Sequence, residues 1–137
     1  MTLENFESVV EKKIVNRGFD YYEQDCIETV EQIDEGEFCA EVAGSSLYDV
    51  YVCIKNREII EHSCTCPYDW GNVCKHVIAV LYHIRDAEIL DEKPEFSVSE
   101  QAKTLLKKLS KKELSQFILN YLKKNKGFRE DFFENFG

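Results

Sequence analysis

The chain has 137 residues, 44% of them apolar, and a formal net charge of −9. That apolar share excludes disorder for the bulk of the chain, and the length fits one domain, or one small domain with a helical annex. The longest apolar run, Val77 to Tyr82, is too short to span a bilayer, and the acidic balance excludes a whole-chain electrostatic pull toward nucleic acid.

The opening residues Met1-Thr2-Leu3-Glu4 have neither the basic region nor the apolar run of a secretory signal, so a cytoplasmic location is expected. Thiols stay reduced there, and six cysteines then point to metal binding or packing before disulfides. The charge is uneven. Residues 1–60 carry 14 acids against 5 bases, whereas residues 91–137 carry 8 against 10.

In chain order, residues 3–16 place Leu3, Phe6, Val9, Val10 and Ile14 at helical spacing. Asn16-Arg17-Gly18 is expected to end that helix, with a short second one from Phe19 to Gln24 and Tyr21 and Tyr22 half-buried on it. The period then changes to two. Residues 26–33, 37–42, 47–54 and 58–64 read as strands, separated by the turns Asp34-Glu35-Gly36, Ala43-Gly44-Ser45-Ser46 and Lys55-Asn56-Arg57. Connections this short favour an antiparallel meander. Phe38, Ala40 and Val42, and Tyr48, Val50, Val52 and Ile54, would face one core.

Residues 74–89 predict a helix with a broad apolar stripe of Val77, Ile78, Val80, Leu81 and Ile84. A charged linker broken by Pro94 follows. Two further helices are expected at 99–109 and from Ser110 to Lys124. Ser110 and Glu113 form a capping box at the start of the second, and Gly127 is its natural stop. Phe128, Phe132, Phe133 and Phe136 give a short last helix its apolar face. The division expected is a domain over 1–92 and a helical annex over 93–137.

The chemistry concentrates in Cys64-Thr65-Cys66-Pro67 and Cys74-Lys75-His76, a C-x-C-x7-C-x-H pattern. In an extended segment residues two apart point the same way, so Cys64 and Cys66 offer two thiolates from the last strand. Pro67 turns the chain out, and Cys74 and His76 return at the entry to a helix, whose N-terminus favours thiolate at Cys74. Three thiols and an imidazole make the donor set of a closed, four-coordinate structural Zn²⁺ site with no position left for an activated water. An iron–sulfur cluster is the other cofactor such donors can hold.

These residues, with the helix beginning Val77-Ile78-Ala79 and the hairpin from Tyr48 to Cys64, resemble the SWIM zinc finger. The resemblance covers about residues 47–90. It implies a ββα finger, an α+β fold overall, and one structural Zn²⁺ held by Cys64, Cys66, Cys74 and His76. It also implies a recognition role toward a protein partner, nucleic acid or both, and association with a helicase-type ATPase beside which such fingers occur. The chain itself has no G-x-x-x-x-G-K-[ST] phosphate loop.

Candidate contact residues lie outside the ligands. Tyr68 and Trp70 in the ligand loop either meet a partner or cap the metal site as a small core. Lys103 to Lys126 hold eight lysines against one acid, Glu113. Lys107, Lys108, Lys111 and Lys112 among them read either as phosphate contacts or as the solvated side of an amphipathic helix pair burying Leu105, Leu106, Leu109, Leu114, Phe117, Ile118 and Leu122. Cys26, Cys39 and Cys53 read as packed thiols, and His62 and His83 as ordinary histidines. No nucleophile–base pair or carboxylate pair emerges, so neither an enzyme nor a small-molecule substrate is expected. The alternative function is a zinc–thiolate redox sensor, suggested by the close spacing of Cys64 and Cys66.

Overall fold

The computed structural model describes residues 1–67, 71–94 and 97–137, which divide into two units, Met1–Val98 and Ser99–Gly137. In the first, α1 (Phe6–Val9) and α2 (Lys12–Glu23) precede β1 (Ile27–Asp34), β2 (Glu37–Ala43), β3 (Leu47–Lys55), β4 (Glu58–Cys64) and α3 (Lys75–Asp86). The strands form an antiparallel meander in the order β1-β2-β3-β4, as the short turns require. Gly36, Asn56 and Arg57 take the positive φ values on which two of those turns depend.

The inner face of the sheet carries Phe38, Ala40, Val42, Val50, Val52 and Ile54, all buried in one core with α3, which packs on β3 and β4. Helix α3 contributes Val77, Ile78, Val80, Leu81 and Ile84, each at most 1% exposed. Burial of such side chains stabilises by about 1.5–3 kcal/mol apiece. The outer face is acidic. Glu31 pairs with Cys39, Glu41 with Asp49, and both Glu37 and Glu61 flank Cys53.

Two helix boundaries differ from the sequence expectation. The break falls between α1 and α2 at Val10–Glu11, and α2 runs straight through Gly18. Gly18 is no stop, because its missing side chain is the space that Ile78 of α3 occupies. The packing between α2 and α3 offsets the roughly 1 kcal/mol that glycine costs inside a helix.

The second unit holds α5 (Lys111–Lys124) and α6 (Lys126–Phe136), with α4 (Val98–Lys108) leading into it. The Ser110 hydroxyl accepts from the Glu113 backbone N–H at 3.1 Å, which bears out the cap. The stop is Asn125 and not Gly127: Asn125 ends α5, and its side chain accepts from the Phe128 N–H at 2.8 Å to start α6. The expected burial also needs correction. Leu122 is buried and Leu114 and Ile118 half-buried, but Leu105, Leu106, Leu109 and Phe117 are exposed. Three short helices enclose too little volume to cover both faces.

Candidate metal centre

The end of β4 is aimed by a bulge. Ile54 pairs with Ile59, but Cys53 pairs with Glu61, which leaves Ile60 as an extra residue. Strand parity reverses there. Ile59 faces the core, and after the bulge His62 and Cys64, opposite Val52 and Val50, face it too. The Thr65 N–H then bonds the Asp49 carbonyl at 3.0 Å, and the Asp49 N–H bonds the Thr65 hydroxyl at 2.9 Å. This clasp holds the segment between Cys64 and Cys66 against β3.

Across from it, Cys74 stands in extended geometry as the N-cap of α3, so the first helical turn presents His76. The ligand atoms of Cys64, Cys66, Cys74 and His76 all lie within 4.8 Å of one another. The His76 Nδ1 atom is 3.7 Å from Cys64 Sγ and 3.8 Å from Cys74 Sγ. A tetrahedral zinc ion with Zn–S of ~2.3 Å and Zn–N of ~2.0–2.1 Å spaces its donor atoms about 3.5–3.8 Å apart, so the donor set fits zinc. Among the described residues no other group of His, Cys, Asp or Glu gathers in this way.

The electrostatics favour thiolate where the helix begins. A hydrogen bond from the Cys64 thiol holds Cys74 well below the ordinary thiol range against the opposing effect of burial, and His76 adds to the lowering. Cys64, as the donor and partly buried, is pushed up. A divalent cation removes that competition by letting both ionise.

With Nδ1 toward the sulfurs, a metal ion held at that atom would leave the ring proton of His76 on Nε2. That atom is buried and has no hydrogen-bond partner among the described residues. The imidazole is packed instead by the Tyr48 ring, 4.8 Å between centroids, by the Tyr21 ring set edge-on at 5.1 Å between centroids, and by Gly44 beside Nε2. These neighbours escaped the sequence reading. Tyr48 was legible only as an apolar strand position, and nothing local ties Tyr21 to His76.

The other candidates fall elsewhere. His62 lines a groove with Val9, Ile60 and Val73, away from the four ligands. His83 lies in the last turn of α3. Cys39 and Cys53 sit on the outer sheet face, with both thiols pushed up by burial first and by neighbouring acids second. That makes them poor nucleophiles. Lys107, Lys108, Lys111 and Lys112 are exposed at the end of α4 and the start of α5, and none is in an ion pair among the described residues. Tyr68 and Trp70 lie outside the described residues. No described helix is long and apolar enough to cross a membrane.

The family model of the SWIM zinc finger matches residues 48–85, the segment from β3 through the four ligands to the end of α3. The resemblance read from the ligand spacing is borne out over that segment. No curated protein and no solved structure matches the chain.

Proposed function

We propose that this chain is a non-catalytic recognition module in which one structural Zn²⁺, held by Cys64, Cys66, Cys74 and His76, fixes the end of β4 to the start of α3. The observation that carries this reading is the completeness of the donor set, since four protein ligands converge and leave no coordination position for substrate or water. The ion supplies a cross-link in a unit too small to rely on its core alone. Metal analysis of the purified chain tests it. The expected result is one equivalent of zinc, lost in Cys66→Ser and His76→Ala and retained in Cys39→Ser and Cys53→Ser. Less than about half an equivalent, with folding unchanged in chelator, would overturn it.

The partner is a protein, nucleic acid or both, and the SWIM resemblance supports a cytoplasmic role beside a helicase-type ATPase. Residues 1–98 carry 21 acids against 8 bases and residues 99–137 carry 5 against 9, so nucleic-acid contact through the helices centres on Lys107, Lys108, Lys111 and Lys112. Binding to duplex and single-stranded DNA across a salt series decides that branch; no binding at low salt leaves the protein partner.

A zinc–thiolate redox sensor is the second reading, favoured by the half-buried positions of Cys64 and Cys66, which leave their sulfurs within reach of an oxidant. Zinc release under mild peroxide, reversed by reductant, is its signature. A centre inert to peroxide removes it.

A further inference from the structure

A cleft of about 290 Å³ opens beside the metal centre and shares its His76 wall. Its polar lining consists of donors. Arg17 comes from α2 and Lys75 from the first turn of α3, while Tyr21, Ser45 and Tyr48 bring hydroxyls, and no carboxylate lines it among the described residues. The unit around it is strongly acidic, and its other two arginines are committed to carboxylates, Arg57 to Glu4 and Arg85 to Glu7. Arg17 and Lys75 have no ion-pair partner among the described residues. Lys75 Nζ lies over the Tyr21 ring, 5.1 Å from its centroid, which holds the ammonium at the cleft. Ser45 Oγ and Tyr48 OH are 2.6 Å apart, so one hydroxyl proton of that pair is taken and the other is left for a ligand. The Tyr21 hydroxyl has no hydrogen bond among the described residues, which leaves a further donor.

Two unpaired cations and two available hydroxyl protons suit an acceptor-only group with several oxygens. A Zn²⁺ ion with three thiolates carries a formal charge of about −1, which the two cations outweigh. The volume lies just below the ~300–1,000 Å³ typical of small-ligand sites, enough for one phosphate and its adjoining group. We propose that this cleft is a phosphate-binding subsite, with Arg17 and Lys75 as the charged contacts and Tyr21, Ser45 and Tyr48 as the hydrogen-bonding ones. The same chemistry is offered by a phosphodiester in a nucleic-acid strand and by a free phosphate monoester.

The proposal rests on the zinc-module reading, because the metal positions Lys75 between two of its ligands. The test uses the zinc-loaded full chain at low salt, titrated with inorganic phosphate, thymidine 5′-monophosphate, and a ten-residue oligothymidylate lacking a terminal phosphate. At least one probe is expected to bind, about tenfold more weakly to Arg17→Gln and nearly normally to Arg17→Lys. Tighter binding of the monophosphate assigns a free ester, and tighter binding of the oligomer assigns a strand. Absence of binding by every probe, or Arg17→Gln binding as well as the parent, overturns the subsite. Zinc content is measured in each sample. A chain that holds zinc and binds no probe loses only the subsite, whereas a chain without zinc loses the underlying reading.

Discussion

Gly18 in α2 lies directly against Ile78 in α3: a Cβ on Gly18 would fall 2.5 Å from Ile78 Cγ2 and 2.9 Å from the Lys75 carbonyl oxygen. The second contact is with backbone, and Lys75 stands between the ligands Cys74 and His76. Gly18→Ala therefore presses on the metal centre from outside it. The expected outcome is a loss of about 1–3 kcal/mol of stability in urea unfolding, with weaker zinc retention against a competing chelator. A variant as stable as the parent, with unchanged zinc affinity, would show that the two helices are free to separate.

The register of β4 is a second lever on the site. Ile60 is the residue that the pairing skips, so deleting it leaves Glu61 opposite Cys53 and Cys64 opposite Val50, whereas deleting Ser63 moves Cys64 into the place opposite Tyr51, on the outer face of the sheet. The Ser63 deletion is expected to purify with little zinc, whereas the Ile60 deletion is expected to purify with a full equivalent. Full zinc in the Ser63 deletion would mean that β4 re-registers at little cost.

Gly44 closes the far side of His76. A Cβ there would meet the Tyr48 ring at 3.1 Å and both His76 Nε2 and the Tyr21 hydroxyl at 3.3 Å. Gly44→Ala requires shifts of a few tenths of an ångström, and Gly44→Val requires more. Chelator competition should rank zinc affinity as parent, then alanine, then valine. Equal affinities would mean that the imidazole is positioned by the metal alone.

Glu7 ties α1 to α3. Its carboxylate is 2.5 Å from Arg85 Nη1 and accepts from the Tyr82 hydroxyl at 2.9 Å. The Arg85 hydrogen bond, the larger effect, holds Glu7 below the usual carboxylate range, and partial burial opposes it. A carboxyl depressed in the folded state stabilises above its unfolded pKa, and that stability is lost as pH falls through the folded value. The pair is partly exposed, so solvent screening limits Glu7→Gln to about 0.5–1 kcal/mol at neutral pH. The difference from the parent should vanish once pH has fallen through the lowered folded value of Glu7. A difference that persists there, in unfolding curves taken across the range, would assign the effect to packing.

Much of the fold was legible locally. The meander followed from alternation in β2 and β3 and from turns such as Lys55-Asn56-Arg57, because a strand's period and a turn's φ preferences are properties of a few adjacent residues. The Ser110 cap was legible for the same reason. Gly18 and Gly127 misled, because a glycine reads as a stop unless one knows what packs on it or which neighbour caps the helix. The exposed Leu105, Leu106 and Phe117 misled in another way, since an apolar stripe states that a face wants cover without stating whether the chain has the volume to provide it.

For the site, the amino-acid sequence alone determined the donors. Cys64, Cys66, Cys74 and His76 lie in one window, and their chemistry with that spacing specifies a closed metal centre wherever the window folds. Tertiary structure decided what surrounds them. The bulge at Ile60 chose the face of Cys64, and the crossing of α2 over α3 at Gly18 brought Arg17 and Tyr21 to the side of Lys75 and His76. Ligand spacing is short-range covalent geometry, readable along the chain. The approach of one helix to another depends on how distant side chains fill shared space, and no local pattern encodes that.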